Sequence, residues 1–303
     1  SRLAAAGYQR QDETGAWMAE DRHYLVRDGA VVAWRVPAGG KPEQGWRIVG
    51  SHTDSPALKL KPNPAFTSAG WSQLGVEVYG GPLLGTWLDR ELGLAGRLLL
   101  RSGEQVLVRT GPLLRVPHLA PHLDRSLSNH VQLDRQQHLQ PIFGVGEAPD
   151  VYDVLLTQAG RAGADLAGLD VFCYPTQEPV VFGPAGELFA SWRLDNLSSV
   201  YASLAAYLDQ DGPAISVLAA FDHEEVGSQT RSGAAGPLLE DVLRRTANAL
   251  GLDEDGYRRA LAASTCVSAD AGHAVHPNYP DRHDPVNRPL LNRGPLLKIN
   301  AQQ

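Results

Sequence analysis

Residues 215–221 read Ile-Ser-Val-Leu-Ala-Ala-Phe, and the next four are Asp222, His223, Glu224 and Glu225. An apolar run of this length is that of a strand buried inside a sheet. Helical patterns lie on both sides of it. From Asn196 to Leu208, apolar residues recur at Leu197, Val200, Tyr201, Leu204 and Leu208, close to i, i+3, i+4 spacing, and Asp195 or Asn196 can cap the start. Leu238 to Leu250 carries a second such pattern. Shorter strand candidates occur at Trp46–Val49 and Ser264–Ala269. Strands alternating with helices predict an α/β fold with a mixed, mostly parallel sheet flanked by helices. Sheets of that kind place their ligands outside the carboxyl ends of the strands, which is where the acidic run falls.

The middle of the chain has a different texture. From about Asn63 to Asp170 the strand candidates are short and punctuated by Gly and Pro, as at Gly75–Tyr79, Leu94–Arg101 and Gln105–Thr110. This predicts a β-rich domain, residues 63–173, inserted into an α/β domain made of 1–62 and 174–303. The ends carry signals of their own. Arg2 to Ala6 reads as the back half of a helix stopped by Gly7, no Met opens the chain, and the far end runs out in a strand-like Leu-Leu-Lys-Ile-Asn stretch. Both ends look cut from a longer polypeptide.

Composition narrows the function. A chain of 303 residues with 43% hydrophobic content can bury a sizeable core. The net charge of −7 and the lack of a Lys/Arg cluster argue against nucleic acid as a partner. No apolar run approaches the ~18 residues of a membrane span, and no signal-peptide pattern is present. Cys173 and Cys266 both sit in apolar, strand-like runs and are expected to be buried thiols. Two cysteines make no disulfide framework, so the expected compartment is the cytoplasm.

The residues that can carry chemistry gather in short motifs. Gly50-Ser51-His52-Thr53-Asp54-Ser55-Pro56 follows a strand candidate; in extended chain His52 and Asp54 point to one face, as a metal-binding imidazole and its orienting carboxylate do. Arg193-Leu194-Asp195-Asn196 opens the helix at 196–208 and, alone, reads as a plain cap. In Asp222-His223-Glu224-Glu225, one carboxylate can ligate a metal while its neighbour takes a proton from water. It is not a zincin motif, because position 227 is Gly rather than His. Ser268 to Tyr279 offers Asp270, His273 and His276 after another strand run, and alone could be an ordinary loop. In chain order these give His, Asp, Glu-Glu and Asp at strand ends, a set suited to two borderline divalent ions.

Read together, Gly-Ser-His-Thr-Asp-Ser-Pro (50–56), Arg-Leu-Asp-Asn (193–196), Asp-His-Glu-Glu-Val-Gly-Ser (222–228) and Ala-Asp-Ala-Gly-His-Ala-Val-His-Pro-Asn-Tyr (269–279) resemble the aspartyl aminopeptidase family. Trp87–Gly96 and Pro117–Leu123 resemble it as well, so the likeness spans essentially the whole chain. The resemblance implies a zinc-exopeptidase-like fold interrupted by a dimerisation domain, and release of N-terminal Asp or Glu from peptides. It implies two divalent ions, zinc or alternatively manganese or cobalt. His52 and Asp270 each hold one metal, Asp195 bridges, and Glu225 holds the second. Glu224 is the general base and Asp54 orients His52. His122, chosen over His118, reaches a partner subunit's site; His276 contacts the carbonyl side, and Lys298 meets the acidic side chain. The family builds dodecamers from dimers, so a homo-oligomer is expected. Its last His ligand has no counterpart here, so the 303-residue polypeptide alone is expected to lack one ligand of the second metal. Two other classes compete: a related two-metal amidohydrolase or deacylase, and a non-catalytic scaffold on the same fold.

Overall fold

The computed structural model describes residues 1–18 and 21–299. In chain order the strands are β1 (Gln9–Arg10), β2 (Asp21–Arg27), β3 (Ala30–Val36), β4 (Trp46–His52), β5 (Ala57–Ser68), β6 (Trp71–Tyr79) and β7 (Leu92–Leu100). They continue with β8 (Gln105–Arg109), β9 (Ile142–Val145), β10 (Leu166–Pro175), β11 (Val180–Phe182), β12 (Leu188–Ala190), β13 (Ile215–Phe221) and β14 (Thr265–Ser268). The helices are α1 (Arg2–Ala5), α2 (Val151–Gln158), α3 (Leu194–Asp209), α4 (Leu238–Ala249) and α5 (Glu254–Ala262). The chain divides into two compact units, Ser1–Asp54 with Arg193–Gln303, and Ser55–Trp192. The expected junctions at 62/63 and 173/174 fall inside β5 and β10, which run unbroken through the second unit's sheet. Local composition could not reveal that register.

In the first unit the sheet has the order β1-β2-β3-β13-β4-β14. Strands β13, β4 and β14 run parallel, while β3 pairs antiparallel with β2 and β13. All seven residues of β13 are buried, as its apolar run requires of a central strand. Its side chains alternate between two cores. Ile215, Val217, Ala219 and Phe221 meet Leu238, Val242 and Leu243 of α4 and Tyr257 and Ala260 of α5. Leu218 faces the other way, toward Tyr207, Leu204 and Leu208 of α3. Each large aliphatic side chain so buried contributes roughly 1.5–3 kcal/mol. Helix α4 buries Leu238, Val242, Leu243, Thr246 and Ala247, one stripe of its surface, and α5 begins with Asp253 accepting from the Gly256 N–H at 2.7 Å.

Helix α3 starts differently from expectation. Its cap position is Arg193, in the left-handed region with φ 62°, and no side chain caps it. Asp195 and Asn196 have non-helical dihedrals, and the peptide between them is cis. Both side chains are turned to other partners. The far end also differs: the Leu-Leu-Lys-Ile stretch forms no strand, and Asn300 lies outside the described residues. Cys173 is buried as expected, but Cys266 is exposed: among the described residues β14 is paired on one side only, and its four residues all face solvent.

The second unit holds an antiparallel sheet of order β8-β7-β10-β5-β6-β9 and a β11–β12 hairpin. One face carries the core, including Leu58, Leu74, Leu92, Leu94, Leu98 and Val171, and Leu155 of α2 joins it. The β5–β6 register shifts between Leu60 and Ala65, around Pro62 and Pro64, because proline cannot donate to a ladder.

Candidate metal centre

The parallel trio β13, β4 and β14 sets the site. Phe221 pairs with His52 and Ser268 with Gly50, so the three strands end at nearly one level. Beyond those ends stand the Glu224–Glu225 turn, His52 itself and Asp270. Asp195 arrives from the start of α3, held by Asn196, a fully buried side chain whose Nδ2 donates to Ala269 O at 3.0 Å.

The His52 ring is the hub. It is buried, and its Nδ1 donates to Asp54 O at 3.1 Å and lies 3.4 Å from Asp54 Oδ1. Its Nε2 lies 3.3 Å from Asp195 Oδ1, 3.5 Å from Asp270 Oδ1 and 4.0 Å from Glu224 Oε2. Ligand atoms of His52, Asp195 and Asp270 lie within 4.8 Å of one another, and so do those of His52, Glu224 and Glu225. The Asp54 carboxylate, with a side chain only 8% exposed, also accepts the backbone N–H of Glu224 on one oxygen and of Glu225 on the other, both at 3.1 Å. One buried carboxylate therefore fixes the imidazole and the acidic turn together.

The electrostatics reflect crowding of negative charge. Burial works against a charged His52 ring, but its hydrogen bond with Asp54 and the charges of Glu224, Asp54 and Asp195 outweigh it and raise the pKa to about 9. Burial, followed by the charges of Glu224 and Asp54, pushes Glu225 up to about 7, although His52 pulls the other way. Several carboxylates and one imidazole, converging with one positive charge at most from the ring, form an oxygen- and nitrogen-donor set that fits a divalent cation.

The residues expected at the site divide into two sets. His52, Asp54, Asp195, Glu224, Glu225 and Asp270 are brought together. His276 is exposed, accepts from the Asn278 N–H at 3.1 Å and packs its ring 5.0 Å from Tyr279. Lys298 is exposed in residues 283–299, which form neither helix nor strand. His122 is exposed on a turn of the second unit. Sequence reasoning gave no role to Gly29 and Thr53. Thr53 Oγ1 donates to Gly29 O at 3.0 Å and to Phe221 O at 3.1 Å, tying the β2–β3 turn to the end of β13. The available signal was Asp28-Gly29 between two strand patterns, a hairpin signature.

The model of the "Aminopeptidase I zinc metalloprotease (M18)" family matches residues 1–303. The chain belongs to the M18 family. A probable M18 family aminopeptidase 2 of Streptomyces coelicolor is 49% identical over 312 residues, which cover 99% of this chain and 72% of that protein. The cryo-EM structure of the Ape4 and Nbr1 complex contains a chain 30% identical, with a TM-score of 0.92, covering 100% of this chain and 65% of that one. A chain of the S. cerevisiae mApe1 dodecamer is 26% identical with a TM-score of 0.82, over 96% of this chain and 70% of that one. The M18 chain thus spans about two thirds to three quarters of the length of these relatives. The family is one of zinc metalloproteases, in accord with the donor set around His52. Among the described residues no helix is long and apolar enough to cross a membrane.

Proposed function

We propose that this M18 chain is the catalytic part of an aminopeptidase that releases acidic residues from peptide N-termini. The observation that carries the reading is the convergence of Asp195, Asp270, Glu224 and Glu225 on the His52 imidazole at the ends of parallel strands. In this reading His52, Asp195 and Asp270 hold one ion, and Asp195 and Glu225 hold the other. When bound, such a pair of ions lowers the pKa of water and polarises the scissile carbonyl. Zinc is the first choice, with manganese or cobalt able to substitute. Asp54 keeps the His52 ring oriented through its Nδ1 side. Glu224 takes a proton from the attacking water as its oxygen bonds the carbonyl carbon. It returns that proton to the leaving nitrogen as the C–N bond breaks. Lys298 pairs with the substrate's acidic side chain, His276 contacts the carbonyl side, and His122 serves a partner subunit's site. The second unit is a dimerisation domain, and the dimers assemble further, as the S. cerevisiae mApe1 chain does in its dodecamer. Two free thiols suit a reducing compartment, the cytoplasm.

The test is hydrolysis of N-terminal Asp, Glu, Leu and Lys amides by the full-length protein with and without added zinc, manganese or cobalt, beside Glu224→Gln. Metal-dependent release of Asp and Glu, reduced about a hundred- to ten-thousand-fold in the variant, is the expected result. Preference for Leu or Lys would overturn the acidic pocket. Two bound metals without peptidase activity would move the assignment to an amidohydrolase.

A further inference from the structure

The Glu224–Glu225 turn begins with His223 in the left-handed region, φ 65°, and closes through Gly227 at φ 96°. A turn so built must be held from outside. Asp54 clasps it on the His52 side, and Asp222 occupies the opposite side. The Asp222 side chain, 14% exposed, receives the Gly29 N–H on Oδ2 at 3.0 Å and its neighbour's N–H, that of His223, on Oδ1 at 2.9 Å. Its own N–H donates to Ser232 O at 3.1 Å, and the Ser232 hydroxyl donates to Asp28 Oδ2 at 2.5 Å. The His223 ring is fixed in turn by Thr230 Oγ1 at 2.9 Å. Both oxygens of Asp222 are therefore committed, one to the β2–β3 hairpin turn and one to the first residue of the acidic turn.

The hairpin is shaped around this carboxylate. A Cβ at Gly29 stands 2.5 Å from Asp222 Oδ2 and 2.8 Å from its Cγ. Gly29 itself lies outside the left-handed region, so its lack of a side chain answers to space rather than to backbone strain. Thr53, the residue between His52 and Asp54, bonds the carbonyl of the same glycine. Gly29 thus meets both halves of the site through its N–H and C=O.

We propose that Asp222 is a positioning residue, and that with Gly29 it fixes where the Glu224 and Glu225 carboxylates point. The proposal rests on the metallopeptidase reading of those two residues. Asp222 touches neither substrate nor ion; it acts through the backbone of His223. An Asn in its place keeps one acceptor and turns an amide N–H₂ toward one of the two backbone donors, so it is expected to fall between wild type and Ala.

The experiment compares, in the full-length protein, wild type, Asp222→Asn, Asp222→Ala, Gly29→Ala and the Gly29→Ala/Asp222→Ala double variant. The readouts are cobalt(II) affinity and visible absorption, hydrogen exchange at residues 223–227, and kcat and KM on an Asp amide. The expected result is a ten- to hundred-fold loss of affinity for one of two cobalt ions in Asp222→Ala and Gly29→Ala. Faster exchange in the turn and a similar loss in kcat with KM little changed should accompany it. The double variant should be no worse than Asp222→Ala alone, because the added methyl acts only by displacing that carboxylate. Cobalt affinity, exchange and kcat within twofold of wild type in folded Gly29→Ala and Asp222→Asn would overturn the proposal, even if Asp222→Ala fails to fold. So would multiplicative losses in the double variant. Wild type that binds no cobalt and cleaves no amide overturns the metallopeptidase reading instead, which separates the two failures.

Discussion

Loading metal into this site should release protons in a pH-dependent amount that the structure sets. Without metal, His52 titrates near 9 and Glu225 near 7. A metal needs the neutral imidazole and the ionised carboxylate, so any proton on either group must leave as the ion binds. At pH 7 the ring is almost fully protonated and Glu225 about half, which gives about 1.5 protons released per loaded site. At pH 8 the release falls to about one, and at pH 9 to about 0.5. Metal affinity rises with pH across the same window and flattens above it. Isothermal titration of zinc into metal-free protein, in paired buffers of different ionisation heat, counts the protons released, to which ionisation of metal-bound water adds on top of these two groups. Ordinary pKa values near 6.5 and 4.5 would give only about 0.25 proton at pH 7 and almost none at pH 8. A measured release below about 0.5 at pH 7 would refute the charge crowding described around His52.

Other expectations concern the scaffold. Gly45 has φ 73°, and a Cβ there would lie 2.5–2.7 Å from backbone atoms of Ala260, Ala263 and Ser264; Gly45→Ala should cost about 3 kcal/mol or more in denaturant unfolding. Leu94 is fully buried in the second unit's core, and Leu94→Ala should cost about 2–5 kcal/mol by the same measurement. Asp170 is half-buried, which alone would raise its pKa, but Lys59, paired with it at 2.7 Å, and Arg97, which donates a hydrogen bond at 3.0 Å, hold it below 3.8. Its contribution to stability is full above pH 3.8 and is lost as pH falls through the lower folded value, so denaturant midpoints should decline there in wild type and less in Asp170→Asn.

The α/β sheet and much of its site were legible because local sequence carries them. The buried run at 215–221 announces a central strand, and the charged residues at its end stand where such sheets bind ligands. His52, Asp195, Glu224, Glu225 and Asp270 were each visible as residue types, and motif resemblance supplied their pairing. What stayed hidden depends on distant contacts. By its local pattern Asp195 is a helix cap; the resemblance alone set it with His52, 143 positions away in the chain, where its carboxylate lies. Asp222 meets a glycine 193 residues off, which no local pattern encodes. The expected junctions fall inside β5 and β10, because Gly and Pro mark irregularities within strands such as β5 as readily as they mark linkers.

The candidate ligands are not mounted with equal firmness. His52 is buried and ends a strand paired on both sides, whereas the Asp195, Glu224 and Asp270 side chains that face it are 43–57% exposed. The imidazole is therefore the fixed point of the donor set, and the carboxylates keep the freedom to adjust around it.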